Sequence, residues 1–322
     1  MRQHKYIGTM PTVKEGVVMI LALGIWLAVT AVCVGFRPEH VYLALLLAVM
    51  FFASGITRRL VVAMLPFVIF GISYDWMNIV PNYEVNSVDI EGLYNSEKSL
   101  FGVRDTDGAL LTLNEYFGRH HAPWADMLAG LFYLCWVPVP ILFGLWLYFK
   151  KQDSIYLHFA IVFLFVNLIG FAIYYIHPAS PPWYVANYGF EFIPGTPGDV
   201  AGLGRFDAMT GMNIFEGLYA RNSNVFAALP SLHSAYTLIA FIYSLKARCA
   251  TWMRILLAII TVGIWATAVY SGHHYLIDVL LGIATAIVGT VIFEYILMRI
   301  PSIRHFVDTT YSNYISSKIK QQ

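Results

Sequence analysis

A chain of 322 residues that is 58% hydrophobic and only 12% charged, with a mean hydropathy of +0.64, lies far outside the range of an ordinary soluble domain. The net charge of +1 says nothing about partners, and nucleic acid is not expected among them. The three cysteines, Cys33, Cys135 and Cys249, have no metal-ligand or redox spacing, so no disulfide framework is implied.

A membrane span needs roughly 20 mostly apolar residues. In chain order the candidate runs fall at about 17–36, 41–56, 60–74, 127–148, 155–176, 231–247, 255–271 and 275–298. They predict an all-α polytopic membrane bundle of about six to eight transmembrane helices, in one integral domain over 1–322. Within it, 1–74 holds the N-terminal helices, 75–126 a polar stretch with an interfacial segment, and 127–298 the helical core. The first run follows a basic N-terminus but ends without a small-x-small cleavage pattern, so it reads as a retained span. The second and third are short and joined by Thr57-Arg58-Arg59, which makes 41–74 two full spans or a re-entrant hairpin, with the same parity.

Short cytoplasmic loops carry an excess of Lys and Arg. Eight crossings put both termini on one side, and with that side inside the cytoplasmic segments hold 14 of the 20 basic residues. Only Arg37, Lys98, Arg104, Arg119, Arg205 and Arg221 then lie outside, together with the polar stretches 75–126 and 177–230. Gly and Pro concentrate in 177–204, which predicts an ordered loop without a regular helix. Trp183, Tyr184 and Tyr188 in that loop read first as interfacial belt aromatics and second as contacts to a ligand.

The chemistry concentrates in Pro230-Ser231-Leu232-His233 and His274-Tyr275-Leu276-Ile277-Asp278, each opening a long apolar run on the external side. On a helix starting near 274, His274 and Asp278 share a face, so the carboxylate can accept a hydrogen bond from one imidazole nitrogen and leave the other free to attack. His233, at the start of a different helix, is then the acid and base. An Asp one turn into an apolar span is costly unless paired or functional, which favours this reading over histidines that merely cap helices or meet lipid headgroups. His120-His121 has no carboxylate at helical spacing and reads as a solvated pair, while His273 is a site residue or a neighbour facing headgroups. A metal site is not expected, because adjacent helical histidines point roughly 100° apart and do not converge.

The two histidine motifs resemble the second and third motifs of the membrane-bound type 2 phosphatidic acid phosphatase superfamily. A longer series is similar to the inositol phosphorylceramide synthases: Ser180-Pro181-Pro182-Trp183-Tyr184, Tyr188-Gly189, Pro194-Gly195-Thr196-Pro197-Gly198, Gly204-Arg205-Phe206-Asp207, then 226–234 and 273–278. It covers about 177–285, roughly a third of the chain. The phosphatases' Lys-x6-Arg-Pro and Ser-Arg elements are missing, since Thr30 stands where the lysine belongs before Arg37-Pro38 and Thr267-Ala268 occupies the Ser-Arg place. Arg205 and then Arg221 are the basic residues left to bind phosphate.

The resemblance implies a six-helix catalytic core and a phosphohistidine on His274, with His233 as acid and base and Asp278 orienting His274. It implies transfer of phosphoinositol from phosphatidylinositol to the primary hydroxyl of a (dihydro)ceramide, releasing diacylglycerol, with no cofactor. Ser231, Trp183, Tyr184 and His273 are further substrate-binding candidates. The alternatives are a lipid phosphatase or pyrophosphatase using water with the same three residues, and a non-enzymatic lipid transporter. The scarcity of mid-span charges disfavours the transporter. A bacterial inner membrane with a periplasmic site is preferred to a Golgi membrane.

Overall fold

The computed structural model describes residues 10–220 and 224–316, and these form a helical bundle with one small β-hairpin. α1 (Val13–Cys33) opens on a capping box in which the Thr12 hydroxyl accepts from Glu15 N and the Glu15 carboxylate accepts from Thr12 N. α2 (Pro38–Ala53) begins on a proline, whose missing N–H is an unsatisfied helix-start donor in any case. α3 (Gly55–Ala63) and α4 (Leu65–Trp76) meet at 50°. The polar stretch that follows contains α5 (Glu91–Phe101), the hairpin β1 (Val103–Arg104) and β2 (Leu110–Leu111), and α6 (Leu113–Arg119).

α7 (Pro123–Tyr133) and α8 (Pro138–Phe149) meet at 42°, and α9 (Asp153–Ile176) runs through the middle of the bundle. The next polar stretch holds α10 (Pro182–Tyr188), α11 (Gly204–Thr210) and α12 (Ile214–Tyr219). α13 (Leu232–Lys246), α14 (Thr251–Tyr270) and α15 (Leu276–Tyr295) complete the bundle. α16 (Pro301–His305), a π-helical turn and α17 (Ser312–Ile315) close the described chain.

Among the described residues four helices are long and apolar enough to cross a membrane, or up to six if each bent pair is one span. α2 and α13, of 16 and 15 residues, fall short of the roughly 20 that a perpendicular crossing needs. Two expectations change here. The run 127–148 is broken, because Pro138 and Pro140 bring no N–H to the ladder and the helix restarts on them. Arg58 and Arg59 are not in a linker but inside α3, with Arg58 1% exposed.

α9 is the spine of the core. Tyr156, Phe159, Ala160, Phe163 and Val166 recur at helical spacing and are sealed against Ala235, Ile239 and Tyr243 of α13 and Ala286 and Phe293 of α15. One end of the bundle gathers the start of α9, the ends of α13 and α15 and the C-terminal turn. There Glu294 takes Lys246 Nζ at 2.5 Å and His158 Nδ1 at 3.0 Å, and His158 Nε2 meets Asp308 at 3.0 Å. The opposite end collects α5, α6 and α10–α12, the starts of α7, α13 and α15, and the ends of α9 and α14. Asn82 pins it by donating Nδ2 to Tyr174 O at 2.9 Å and to Phe226 O at 2.8 Å. The Pro-rich stretch 177–204 is not free of helix: α10 forms with Pro182 at its first position, where proline is tolerated.

Candidate active site

One helix end and two helix starts converge at that polar end. α14 stops at Tyr270, and Gly272, with φ +77°, turns the chain through the left-handed region that glycine enters at little cost. The turn folds back onto α14, so that Ala268 O accepts from His273 N at 3.2 Å and from His274 N at 3.0 Å. α15 begins at Leu276, two residues later than the sequence pattern placed it, so His274 precedes the helix and Asp278 sits in its first turn. Asp278 Oδ2 accepts from Tyr275 N at 2.9 Å, the helix-start bond that a carboxylate at this position makes to the cap backbone. The same oxygen stands 3.5 Å from His274 Nδ1, within ion-pair reach and longer than a hydrogen bond.

α13 delivers the second imidazole. Ser231 N donates to Asp278 O at 2.9 Å, tying the start of α13 to the start of α15. Gly282 of α15 faces the Ser231 carbonyl so closely that any Cβ there would overlap it. This contact leaves His233 Nδ1 2.9 Å from His274 Nε2. Trp136 meets the His233 ring edge-on at 4.6 Å, and the Tyr133 ring lies 5.2 Å from it.

His273 stands beside them, 4% exposed, with Nδ1 2.9 Å from Ser271 Oγ and its ring 4.3 Å from that of Tyr219. Burial, with His274 adjacent, pushes its imidazole down to about 3, so it is neutral at physiological pH. His233, His273 and His274 line a cavity of about 780 Å³ whose other walls are mostly aromatic and aliphatic, among them Phe70, Trp136, Phe171, Leu218 and Leu232. No Lys or Arg lines it among the described residues.

A second, more polar cavity of about 410 Å³ lies across the turn, and Trp183 lines both. Trp183 N donates to Gly272 O at 3.0 Å, fixing α10 against the histidine turn. Arg205 lines this second cavity and not the first: its Nε donates to Asp126 Oδ1 at 2.6 Å and its guanidinium lies over the Tyr270 ring. The structure therefore does not bring Arg205 to the histidines, and Arg221 lies outside the described residues.

Ser231 is fully buried and does not reach the cavity wall. Trp183 and Tyr184 are 6% and 0% exposed, so neither is a lipid-facing belt residue; Tyr184 instead donates its hydroxyl to Glu191 O at 2.8 Å. His120 and His121 are each paired, at 2.9 Å to Asp105 and at 3.4 Å to Asp126.

Several residues at the site carried no sequence signal. Trp136 and Tyr219 line the cavity and Tyr133 packs against the His233 and His273 rings, yet all three read in sequence as ordinary span or loop aromatics. Glu97 and Asn114, on α5 and α6, bond to the main chain around the histidine turn from more than a hundred residues away. Burial holds the Glu97 carboxyl above the usual carboxylate range, against the lowering effect of the Ile277 and Leu276 N–H groups.

Comparison with known proteins gives a consistent picture. Residues 111–292 match the PAP2 superfamily. The chain is 60% identical over 302 residues to a phosphoinositol dihydroceramide synthase of Bacteroides thetaiotaomicron, covering 94% of this chain and 99% of that protein. It is 30% identical over 135 residues to the catalytic subunit of inositol phosphorylceramide synthase of Saccharomyces cerevisiae, covering 41% of this chain and 32% of that one. With the inositol phosphorylceramide synthase of Candida albicans it shares 31% over 143 residues, covering 42% and 28% respectively. No solved structure matches.

Proposed function

The chain belongs to the PAP2 superfamily, and on that premise we propose that it is a membrane phosphotransferase moving phosphoinositol from phosphatidylinositol to the primary hydroxyl of a dihydroceramide or ceramide. The observation that carries the reading is the juxtaposition of His233 and His274 on the wall of a largely apolar cavity, with Asp278 behind His274. The naming of a relative 60% identical along almost the whole chain supports the choice of donor and acceptor.

His274 Nε2 attacks phosphorus while His233 donates a proton to the departing diacylglycerol oxygen, forming an N–P bond and breaking a P–O bond. Asp278 draws in to the Nδ1–H of His274 as positive charge develops, fixing the tautomer that leaves Nε2 nucleophilic. In the second half His233 takes the proton of the ceramide hydroxyl, whose oxygen attacks the phosphohistidine and regenerates His274. A cavity with apolar walls suits this sequence, because it receives lipid and keeps water from the intermediate.

The end of the bundle bearing Lys14, Arg58, Arg59, Lys150, Lys151, Lys246 and Arg248 is assigned to the cytoplasm, which puts the histidines on the periplasmic side of a bacterial inner membrane. The bacterial relative supports that membrane over the Golgi.

The test supplies the purified protein with phosphatidylinositol and labelled ceramide in mixed micelles. Labelled inositol phosphorylceramide that depends on both lipids is the expected product. Release of free inositol phosphate at the same rate without ceramide supports the hydrolytic alternative instead.

A further inference from the structure

α15 carries Asp278 in its first turn, yet its N-cap, Tyr275, makes no side-chain cap hydrogen bond. Helix starts expose N–H groups that need acceptors, and here they come from another part of the chain. Glu97 of α5 places Oε1 3.0 Å from Leu276 N and Oε2 3.1 Å from Ile277 N. Glu97 is buried, and both bonds form at the helix end where the backbone dipole favours an anion. Leu93, one turn earlier on α5, packs with Tyr275 and Ala179 in a small apolar cluster that seats the carboxylate.

A second tie comes from α6. Asn114 Nδ2 donates to Val269 O at 2.7 Å and to His274 O at 2.9 Å, bridging the end of α14 to the main chain of His274 itself. The His274–Asp278 contact spans the start of a helix, not a helical turn, so its geometry depends on where α15 begins and where the turn before it sits. Those are the two things that Glu97 and Asn114 hold.

We propose that Glu97, together with Asn114, is a positioning residue that holds His274 in register with Asp278. Glu97 lies outside the stretch 111–292 that matches the superfamily, and Asn114 lies just inside it. Neither side chain touches the reacting atoms; both act through the main chain around the turn. The inference rests on the functional reading above.

Glu97→Gln keeps shape and one acceptor but sets an amide N–H against a helix N–H. The transferase assay should show kcat roughly 10–100-fold lower with KM for both lipids within about twofold, because reacting groups displaced by a fraction of an ångström lose rate before they lose binding. Asp105→Asn, which breaks the Asp105 pairs to Arg119 and His120 elsewhere in the same segment, is the control for mere loosening. It should lower the unfolding temperature without lowering kcat per folded protein. Asn114→Ala is read in the same way, and it decides the matter if Glu97→Gln does not fold. A folded Glu97→Gln or Asn114→Ala enzyme with wild-type kcat, or a kcat loss matched by Asp105→Asn, overturns the positioning role. Wild-type protein that transfers nothing sinks the functional reading instead, so the two failures are distinct.

Discussion

His233 Nδ1 lies 2.9 Å from His274 Nε2, so the two imidazoles hydrogen-bond to each other through the very atoms to which the proposed mechanism assigns proton transfer and attack. One of the pair donates and the other accepts. In the proposed mechanism a phosphoryl group reaching His274 displaces this hydrogen bond, and the proton for the leaving oxygen comes from the His233 nitrogen that had faced His274.

That exchange makes a prediction about leaving groups. His233→Ala should lower transfer from phosphatidylinositol by about 10²–10⁴-fold, the usual range for a positioned acid. With a donor whose leaving group is a nitrophenol, which departs without a proton, the formation of phosphohistidine should be far less affected. His274→Ala should abolish both reactions. Equal losses with both donors in His233→Ala would remove His233 as the acid.

Asp278→Asn should cost about 10³–10⁴-fold in kcat, since the amide no longer selects the tautomer of His274. Lipid KM should stay within a few-fold. Radiolabel from the donor lipid, retained on the acid-labile, base-stable linkage of a phosphohistidine, should fall in parallel with kcat; a variant that accumulates label normally would separate Asp278 from the attack step.

His273 is buried neutral, with its imidazole pushed down to about 3. The unfolded chain binds that proton near pH 6.5, and the folded chain does so only far lower. The stability this residue contributes is thus whole above about pH 6.5 and is lost as pH falls from there toward 3, at up to about 1.4 kcal/mol per pH unit. Thermal unfolding in detergent should show the midpoint dropping between pH 7 and pH 5, and dropping less in His273→Gln. The same drop in both proteins would assign the acid sensitivity elsewhere.

Trp183 separates the cavity of the histidines from the polar cavity behind the turn. Trp183→Ala should open a passage between them and admit water to the intermediate. The expected result is a higher ratio of released inositol phosphate to inositol phosphorylceramide, read from one labelled donor. An unchanged ratio would show that water is excluded by other walls.

Gly282→Ala should destabilise the protein by about 1–3 kcal/mol, because the new methyl meets the Ser231 carbonyl and the backbone has to shift. The same shift moves His233 away from His274, so kcat should fall even in the folded fraction. Gly217→Ala, at a cavity-lining position where a Cβ meets open space, is the comparison and should leave stability unchanged.

Helical class and the histidine motifs were legible in the sequence for one physical reason. Long apolar runs have one common use, and an ionisable side chain inside one is expensive enough to stand out, as Asp278 does. The pairing of Arg205 was not legible, because Asp126 lies 79 residues away and no local spacing announces it. Glu97 escaped for the same reason: a carboxylate in a polar loop looks solvated until the fold puts α15 against it. Pro138 and Pro140 did carry a signal for the break between α7 and α8, but the apolar run around them outweighed it. Asp278 lies near His274, at 3.5 Å instead of hydrogen-bond distance, although the helix starts two residues late, because a carboxylate in the first helical turn and an i, i+4 partner reach much the same place.

The contact between Ser231 and Gly282 has a bearing on how such enzymes diversify. The spacing of the two imidazoles is set by a main-chain carbonyl meeting a position with no side chain, and by a backbone hydrogen bond to Asp278. Nothing in that joint depends on the identity of a cavity-wall residue. Phe171, Leu218 and Ile214 line the cavity without taking part in that joint, so substitutions there are expected to reshape the cavity while the imidazole spacing is kept. The walls of the cavity and the joint that spaces the imidazoles are thus built from different residues, one from side chains and the other from main chain.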